Sequence, residues 1–180
     1  VSSADDPLST PSGASTTWHV AEHPVDAQES QAILFRYYTE VSDRFFGHPT
    51  PRDDLLSGFA AQDSTGLAAP GGSFHLAWAD GRDGPVAVGC AGVAIAPRAP
   101  EPTAELRRVF VTPAFRGRGV AGALLDAAES AARRLGAVVV RLDTRHDLVE
   151  ALALYARRGY VDVPAFNEDR YAQRWLALRL

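Results

Sequence analysis

The sequence predicts a mixed α/β domain, a central twisted sheet of mixed strand direction flanked by helices. Three observations carry this. Strand-like and helix-like periods follow one another as strand, helices, a meander of strands, then strand–helix–strand–helix–strand. The 46% hydrophobic and 22% charged content is that of a globular chain, and 180 residues are enough for one sizeable core. One strand-to-helix junction, "VTPAFRGRGVAGALLDAAE" from Val111 to Glu129, concentrates three glycines and two arginines.

Residues 1–17, rich in Ser, Thr, Asp, Pro and Gly, predict a flexible tail without the basic start and apolar stretch of a signal peptide. Residues 18–180 then read as one domain. "WHVAEHPV" suits a short first strand. Residues 27–46 place Ile33, Leu34, Tyr37, Tyr38, Val41 and Phe45 at helical spacing, and Pro51 sits at a first-turn position before a short second helix. Phe74, Leu76 and Trp78 alternate in "SFHLAWADG", which runs into a Gly- and Asp-rich turn. "PVAVGCAGVAIAP" is apolar on both faces, as a central strand is, and "TAELRRVFV" is the next strand. From Gly119 to about Leu135, the residues Val120, Leu124, Ala128, Ala131 and Leu135 share one helical face, and Gly136 stops the helix. "AVVVRLDT", "HDLVEALALYARRG" and "YAQRWLALRL" complete the chain as a buried strand, a helix and a last strand.

Net charge is −4, unevenly spread: residues 1–100 carry 5 Arg against 12 acids, residues 101–180 carry 13 Arg against 10. All 18 basic residues are arginine, a bias that fits GC-rich coding. A locally basic half inside an acidic chain argues against nucleic-acid binding and fits one confined anionic ligand. Arg133, Arg134, Arg157 and Arg158 read instead as solvated helix faces. No apolar run approaches membrane-spanning length, so the chain reads as cytoplasmic. The single cysteine, Cys90, excludes an internal disulfide and reads as a small core residue. No Cys or His cluster has metal-ligand spacing, and no metal is expected.

The glycine-rich junction has a physical rationale. A helix start leaves backbone N–H groups without partners and adds a partial positive charge. Gly117 and Gly119 remove side chains that would hold an anion away from the main chain, and Ala121 and Gly122 keep the first turn thin. The segment Arg116–Gly122 is therefore a candidate phosphate cradle. It is not a Walker loop, for the chain has no lysine. Gly117, Gly119 and Gly122 do match GxGxxG spacing, with the acid of "RLDT" near the distance of a ribose ligand, but the upstream meander is wrong for a dinucleotide fold.

Arg116, Gly119 and Ala121 stand in register with Gln/Arg-x-x-Gly-x-Gly/Ala, and the segment resembles the acyl-CoA signature of the GNAT N-acetyltransferases. "AELRRVFVTP" resembles that family's fourth strand, "ALALYARRGYVDV" its tyrosine-bearing last helix, and "PAFNEDRYAQRW" its closing segment. The likeness covers roughly Thr103 to Leu180, and more loosely the chain from Ser73. It implies a GNAT-like acyl-CoA N-acyltransferase fold and an acetyl-CoA-dependent N-acetyltransferase.

By that resemblance the amides and side chains of Arg116, Gly117, Arg118, Gly119, Val120, Ala121 and Gly122 would hold the diphosphate of acetyl-CoA. The pantetheine arm would add like a strand along Val109, Phe110 and Val111, between two parallel strands splayed at a bulge. An N–H freed there would polarise the thioester carbonyl. Glu105 is the candidate base, about 13 Å along the strand from Val109 and so acting through water; the alternative is a surface pair with Arg107 or Arg141. Tyr155 is the candidate acid for the leaving thiolate, or else a core tyrosine. Leu148 stands where relatives often carry an asparagine that binds pantetheine, with His146 and Asp147 as weak substitutes. The aromatics Phe35, Tyr37, Tyr38, Phe45 and Phe46 read as core, although Tyr38, Phe46, His48 and Arg52 also stand where an acceptor would be walled. The expected acceptor is a small-molecule amine in a cleft partly lined by Asp43, Asp53 and Asp54. A protein N terminus comes second, and a noncatalytic acyl-CoA sensor is the reading from another class. Homodimers are common among such relatives, but no residue here specifies an interface.

Overall fold

The apolar run of residues 84–95 becomes the strand that both core layers share. In the computed structural model, which describes residues 17–180, it is β3 (Gly84–Ile95), third in a seven-stranded sheet. The expected tail over residues 1–17 lies almost wholly outside the described residues. The other strands are β1 (Trp18–Glu22), β2 (Gly72–Gly81), β4 (Thr103–Val111), β5 (Val139–Thr144), β6 (Val161–Asp162) and β7 (Arg174–Arg179), in the spatial order β1-β2-β3-β4-β5-β7-β6. Every neighbouring pair is antiparallel except β4–β5. Four α-helices flank the sheet: α1 (Gln28–Phe46), α2 (Arg52–Ala60), α3 (Val120–Arg134) and α4 (Val149–Arg157).

Alternation along the strands sorts the core into two layers. Phe74, Leu76, Cys90 and Phe110 pack with Ile33 and Leu34 of α1. Ala77, Ala79, Ala91, Val93, Ala104, Leu106, Val140 and Leu142 pack with Leu124, Leu125 and Ala128 of α3 and Tyr155 of α4. α3 ends as its sequence requires: Leu135 caps it and Gly136 takes φ +86°, a conformation glycine adopts without strain. β6, only two residues long and exposed, has too little pattern to be recognised from sequence, yet it pairs with β7 at the sheet edge.

Arg158 departs from the solvated-face expectation. Its guanidinium bonds Glu129 at 2.7 and 3.0 Å and Asp126 at 2.7 Å, while the Tyr160 hydroxyl donates to Glu129 at 3.2 Å. Glu129 is buried inside α3, so removing its partner would strand a charge in a low-dielectric layer. The pair fixes the end of α4 to α3. Arg133 and Arg157 are exposed as expected, and Arg134 reaches Glu22 at 3.5 Å on the surface.

Two register irregularities shape the centre of the sheet. One lies between β2 and β3 at Ala77/Trp78, the other between β3 and β4 at Cys90/Gly92. In the second, Cys90 opposes Phe110 and Gly92 opposes Arg107, so β4 carries one residue more than β3. The side-chain alternation of β4 is reset accordingly: Leu106 and then Val109 turn toward α3, three apart instead of two. Arg108 absorbs the extra residue at φ +59°, the one positive φ among described non-glycine residues.

Gly89 packs its Cα against β4 just beyond this bulge. A Cβ there would sit 2.8 Å from the Phe110 carbonyl oxygen and 3.0 Å from Leu124 Cδ1. Gly89→Ala is therefore expected to lower stability by about 1–3 kcal/mol, read as a lower urea midpoint at unchanged slope.

Candidate functional site

The parallel ladder between β4 and β5 is short. Thr103, Ala104 and Glu105 pair with Val139, Val140 and Arg141, and the pairing stops there although both strands continue. β5 keeps its other partner, β7, through Thr144. A wedge-shaped gap thus opens between two parallel strands, with the Glu105–Arg141 step at its apex. The bulge at Arg108 lies along one wall, held by the Cys90 thiol, which donates to the Arg108 carbonyl at 3.1 Å. Burial pushes that thiol far above its ordinary pKa, so Cys90 is a structural donor and not a nucleophile.

The backbone of β4 beyond the bulge has a definite sense. Thr112 N donates to the Val88 carbonyl at 2.9 Å, toward β3. Alternation then turns Val111 and Val109 toward the gap and Phe110 toward β3. The Val111 carbonyl already accepts from Arg116 Nε at 2.9 Å. Phe110 is buried in the α1-side layer, its ring 6.1 Å from that of Tyr37. Only its side chain could approach a molecule in the gap.

At the wide end of the gap stands the glycine-rich junction. A short 3-10 turn over Pro113–Phe115 closes β4, and α3 begins at Val120. Gly117 and Gly119 adopt φ +73° and +81°. Ala123 is the first amide of α3 to find a backbone acceptor, Gly119 O at 3.1 Å. Among the described residues, the amides of Gly117 through Gly122 have no such partner. A Cβ on Gly117 or Gly122 would meet nothing within 4 Å, so no protein contact demands a glycine at 122. A row of free amides at an open helix start is a site for an anion.

The two arginines there differ. Arg116 is committed to the protein: its NH2 group bonds both oxygens of Glu40 on α1, at 2.6 and 2.7 Å, while Nε holds Val111 O. It fastens the loop to α1 and to the end of β4, so its guanidinium is not spare charge for a ligand. Arg118 is exposed, with its guanidinium 5.3 Å from the Phe115 ring centroid.

Glu105 stands at the apex with Oε1 accepting from Arg141 at 2.6 and 3.2 Å. The surface pair weighed from the sequence is formed with Arg141, whose guanidinium also covers the Phe166 ring at 4.0 Å. Tyr155 packs in the α3-side layer and is only 5% exposed. Burial first, then Tyr37 and Asp143, push its phenol well above the ordinary value, so it is protonated at neutral pH. Its hydroxyl has no protein partner among the described residues.

Asp143 lies on β5 two residues past Arg141. Its Oδ1 accepts from Asn167 Nδ2 at 2.9 Å, and Asn167 Oδ1 accepts from Trp175 Nε1 at 2.8 Å. The side chain opens to solvent, yet surrounding protein strips enough water to push its carboxyl above the usual range; Asn167 opposes that rise. In the sequence it is an acid in a strand that is otherwise buried, noted only for its distance from the glycines, and nothing there announces Asn167.

Leu148 precedes α4 and makes no side-chain cap. Asp147 is taken by Arg145 at 2.7 and 2.8 Å and by Arg44, and Arg145 also donates to the Val41 carbonyl at 2.9 Å. These bonds tie the end of α1 to the β5–α4 loop and leave Asp147 little freedom as a substitute ligand. His146 is exposed.

The acceptor-wall expectations divide. Tyr38 packs against α2, close enough that a Cβ on Gly58 would stand 2.0 Å from its hydroxyl oxygen, and Phe35 meets Phe59 at 5.3 Å. Phe45 and Phe46 depart from the core expectation: they are exposed and form a cluster with Tyr171 and His48. The geometry explains this, since both follow the end of the α1 stripe where the sheet no longer covers the helix. Arg52, Asp53 and Asp54 lie exposed on the first turn of α2, whereas Asp43 accepts from Thr50 N at 2.7 Å and braces the α1–α2 turn. No helix among the described residues is long and apolar enough to cross a membrane, and they hold no group of three or more His, Cys, Asp or Glu suited to a metal.

The chain has relatives among known proteins in sequence and in fold. Residues 32–160 match a family model described as "Acetyltransferase (GNAT) family". An IAA acetyltransferase of Azospirillum brasilense is 31% identical over 130 residues, covering 71% of this chain and 77% of that protein. A PaiA N-acetyltransferase from Thermoplasma acidophilum, solved in complex with coenzyme A, has a TM-score of 0.67 at 14% identity over 91% of this chain and 99% of its own. A GNAT-family acetyltransferase from Staphylococcus aureus gives a TM-score of 0.64 at 16% identity, with coverage of 91% and 99%.

Gly122 provides a test of the open helix start. Because a methyl group there meets nothing, Gly122→Ala is expected to raise the stability of the ligand-free protein, by about 0.5–1 kcal/mol, through helix propensity alone. A thermal or urea midpoint measures it.

Proposed function

The chain belongs to the GNAT acetyltransferase family, and from that premise we propose that it moves the acetyl group of acetyl-CoA directly to a primary amine of a small molecule. The observation that carries the reading is the gap between β4 and β5, which runs from unpartnered helix-start amides to an apex bearing ionisable side chains. It has the form an extended acyl-CoA requires: an anion site at one end, backbone hydrogen-bonding groups along the wall, and proton-transfer groups at the other end.

In this reading the amides of Gly117 through Gly122 and the Arg118 side chain receive the diphosphate. Arg116 contributes by its grip on Glu40 and Val111, which sets the loop. The gap-facing groups of Val109 and Val111 border the arm, with the Val111 carbonyl kept for Arg116. Phe110 contributes packing. Residues 18–180 act as one domain in a cytoplasmic enzyme.

Amide formation needs a neutral amine, and free amines have pKa values of about 8 to 10.4, so a proton acceptor must lie nearby. Glu105 is the acceptor that the family resemblance implies; with Oε1 on Arg141, its Oε2 is left to bind a water. Tyr155 supplies the proton to the departing sulfur. Its phenol is protonated at neutral pH, and the burial that raises its pKa also raises the basicity of a thiolate formed beside it. The Azospirillum brasilense relative carries acetyl transfer in its name, which supports the reaction class.

Thiol release measured across a panel of small amines tests the reading, with N-terminal peptides included as the competing acceptor class. Turnover of at least one small amine is expected. Tight acetyl-CoA binding without turnover on any acceptor would favour a sensor instead. Tyr155→Phe is expected to lower kcat by about 100-fold with the coenzyme A Kd unchanged by calorimetry. Gly122→Ala should weaken coenzyme A binding several-fold even as it stabilises the fold, because the methyl occupies space the diphosphate needs.

A further inference from the structure

We propose that Asp143, held by an Asn167–Trp175 relay, is the group that takes the proton from the acceptor amine, and that Glu105 serves to close the apex of the gap. The inference rests on the acetyltransferase reading above and assigns its base. Four observations carry it.

The first is position. Glu105 belongs to the last paired step of the β4–β5 ladder, where the strands are still joined and a substrate cannot pass between them. Asp143 lies two residues beyond, about 7 Å along β5, where β4 has already separated. By strand alternation it shares a face with Arg141, and so with Glu105. It therefore looks onto the gap from the side opposite the α3 layer that holds Tyr155.

The second is availability. Both hydrogen bonds from Arg141 fall on Glu105, and the guanidinium is fixed in turn by the Phe166 ring. One Glu105 oxygen is thereby committed to a fixed cation. Asp143 has no arginine partner among the described residues; it accepts one neutral amide bond and keeps the rest of its carboxylate for a donor from the gap.

The third is orientation. Trp175 stands directly opposite Asp143 in the β5–β7 ladder, and its indole N–H fixes the Asn167 amide so that the Nδ2 group faces the acid. Such a chain of donors holds one carboxylate rotamer without neutralising it.

The fourth is the surrounding charge. The charged and titratable groups that act on Asp143 are Glu105 and Arg107 of β4 and Asp169 of the loop before β7, and Asp143 in turn acts on the Tyr155 phenol of α4. Loss of water and the two acids raise its affinity for a proton, whereas Asn167 and Arg107 lower it, and the net direction is upward. A base of raised pKa is better matched to an ammonium than an ordinary carboxylate.

Asp143 takes one proton from the ammonium and the freed nitrogen lone pair forms the N–C bond to the acyl carbon. As the C–S bond breaks, its electron pair stays on sulfur, which takes the Tyr155 proton. Tyr155 recovers the second nitrogen proton, and Asp143 releases its proton to solvent. The products are an amide with one N–H, a thiol and one proton.

The test is the pH profile of kcat at saturating amine, with one amine used for every variant so that its own titration is common to all. Asp143→Asn is expected to lower kcat by about 100-fold and to abolish the acidic limb. Glu105→Gln should lower kcat less, keep the limb, and move it to lower pH, since a neighbouring negative charge is gone. Asn167→Ala should keep the limb and move it to higher pH, since a bond that favours the charged form is lost. A purely structural role would shift neither limb. Coenzyme A affinity and urea midpoints of the variants separate misfolding from chemistry. An Asp143→Asn enzyme that keeps its acidic limb and loses less than about 5-fold in kcat overturns the proposal while leaving the acetyltransferase reading intact. A wild-type protein inactive on every amine overturns both.

Discussion

One constraint organises this molecule: two neighbouring parallel strands that share a sheet stop hydrogen-bonding part-way along. Backbone groups in a sheet interior normally have partners, and leaving them without one in a closed core is costly. Here β4 and β5 separate beyond Glu105 and Arg141, so the groups they would have exchanged face an open wedge. The bulge at Arg108 makes the separation compatible with an intact β3–β4 ladder. It inserts one residue, bends β4, and returns the later side chains to the correct faces. Cys90 accounts for the bulge carbonyl, which is why a lone buried thiol belongs there.

The charged side chains around the wedge divide into those that build it and those left free. Arg116 joins the loop before α3 to Glu40 of α1, and Arg145 with Asp147 and Arg44 joins the loop before α4 to the end of the same helix. α1 therefore braces both loops at the open end of the gap. Arg141 and Glu105 close the narrow end. Exposed pairs of this kind add little to stability one at a time, and their consequence here is positional. Among the described residues, the helix-start amides and the Tyr155 hydroxyl keep no protein partner along the wedge, and the carboxylate of Asp143 has no cationic one. Those are the groups that the chemistry of amide formation requires.

Much of this was legible in the sequence because it is written in local patterns. The period of the apolar residues located α1, α3 and β2 through β5 within a residue or two of their ends, and α4 within three. Gly136 was read as the stop of α3 and the glycines at 117 and 119 as clearing side chains from an anion's approach; the structure adds that all three take positive φ. The candidate cradle could be read for the same reason, since a helix start presents its amides whatever the rest of the fold does. Where the pattern was short or the faces ambiguous, the reading stopped: β6 is two residues long, and Phe45 and Phe46 carry an apolar signal at a place the core does not reach.

The partners of charged groups belong to another level. Sequence spacing could not indicate that Arg116 would bond Glu40, 76 residues away, or that Arg158 would bury its charge against Glu129, 29 residues away. Nor could it indicate which acid at the gap would pair with an arginine, because the partners of Glu105 and Asp143 come from segments distant in the chain. The sequence alone determined the order of elements, the bend-permitting glycines and the exposed amides of a helix start, all set by interactions within a few residues. The tertiary structure alone decided where two parallel strands part and which ionisable groups around that opening stay free, because both depend on contacts between segments distant in the chain.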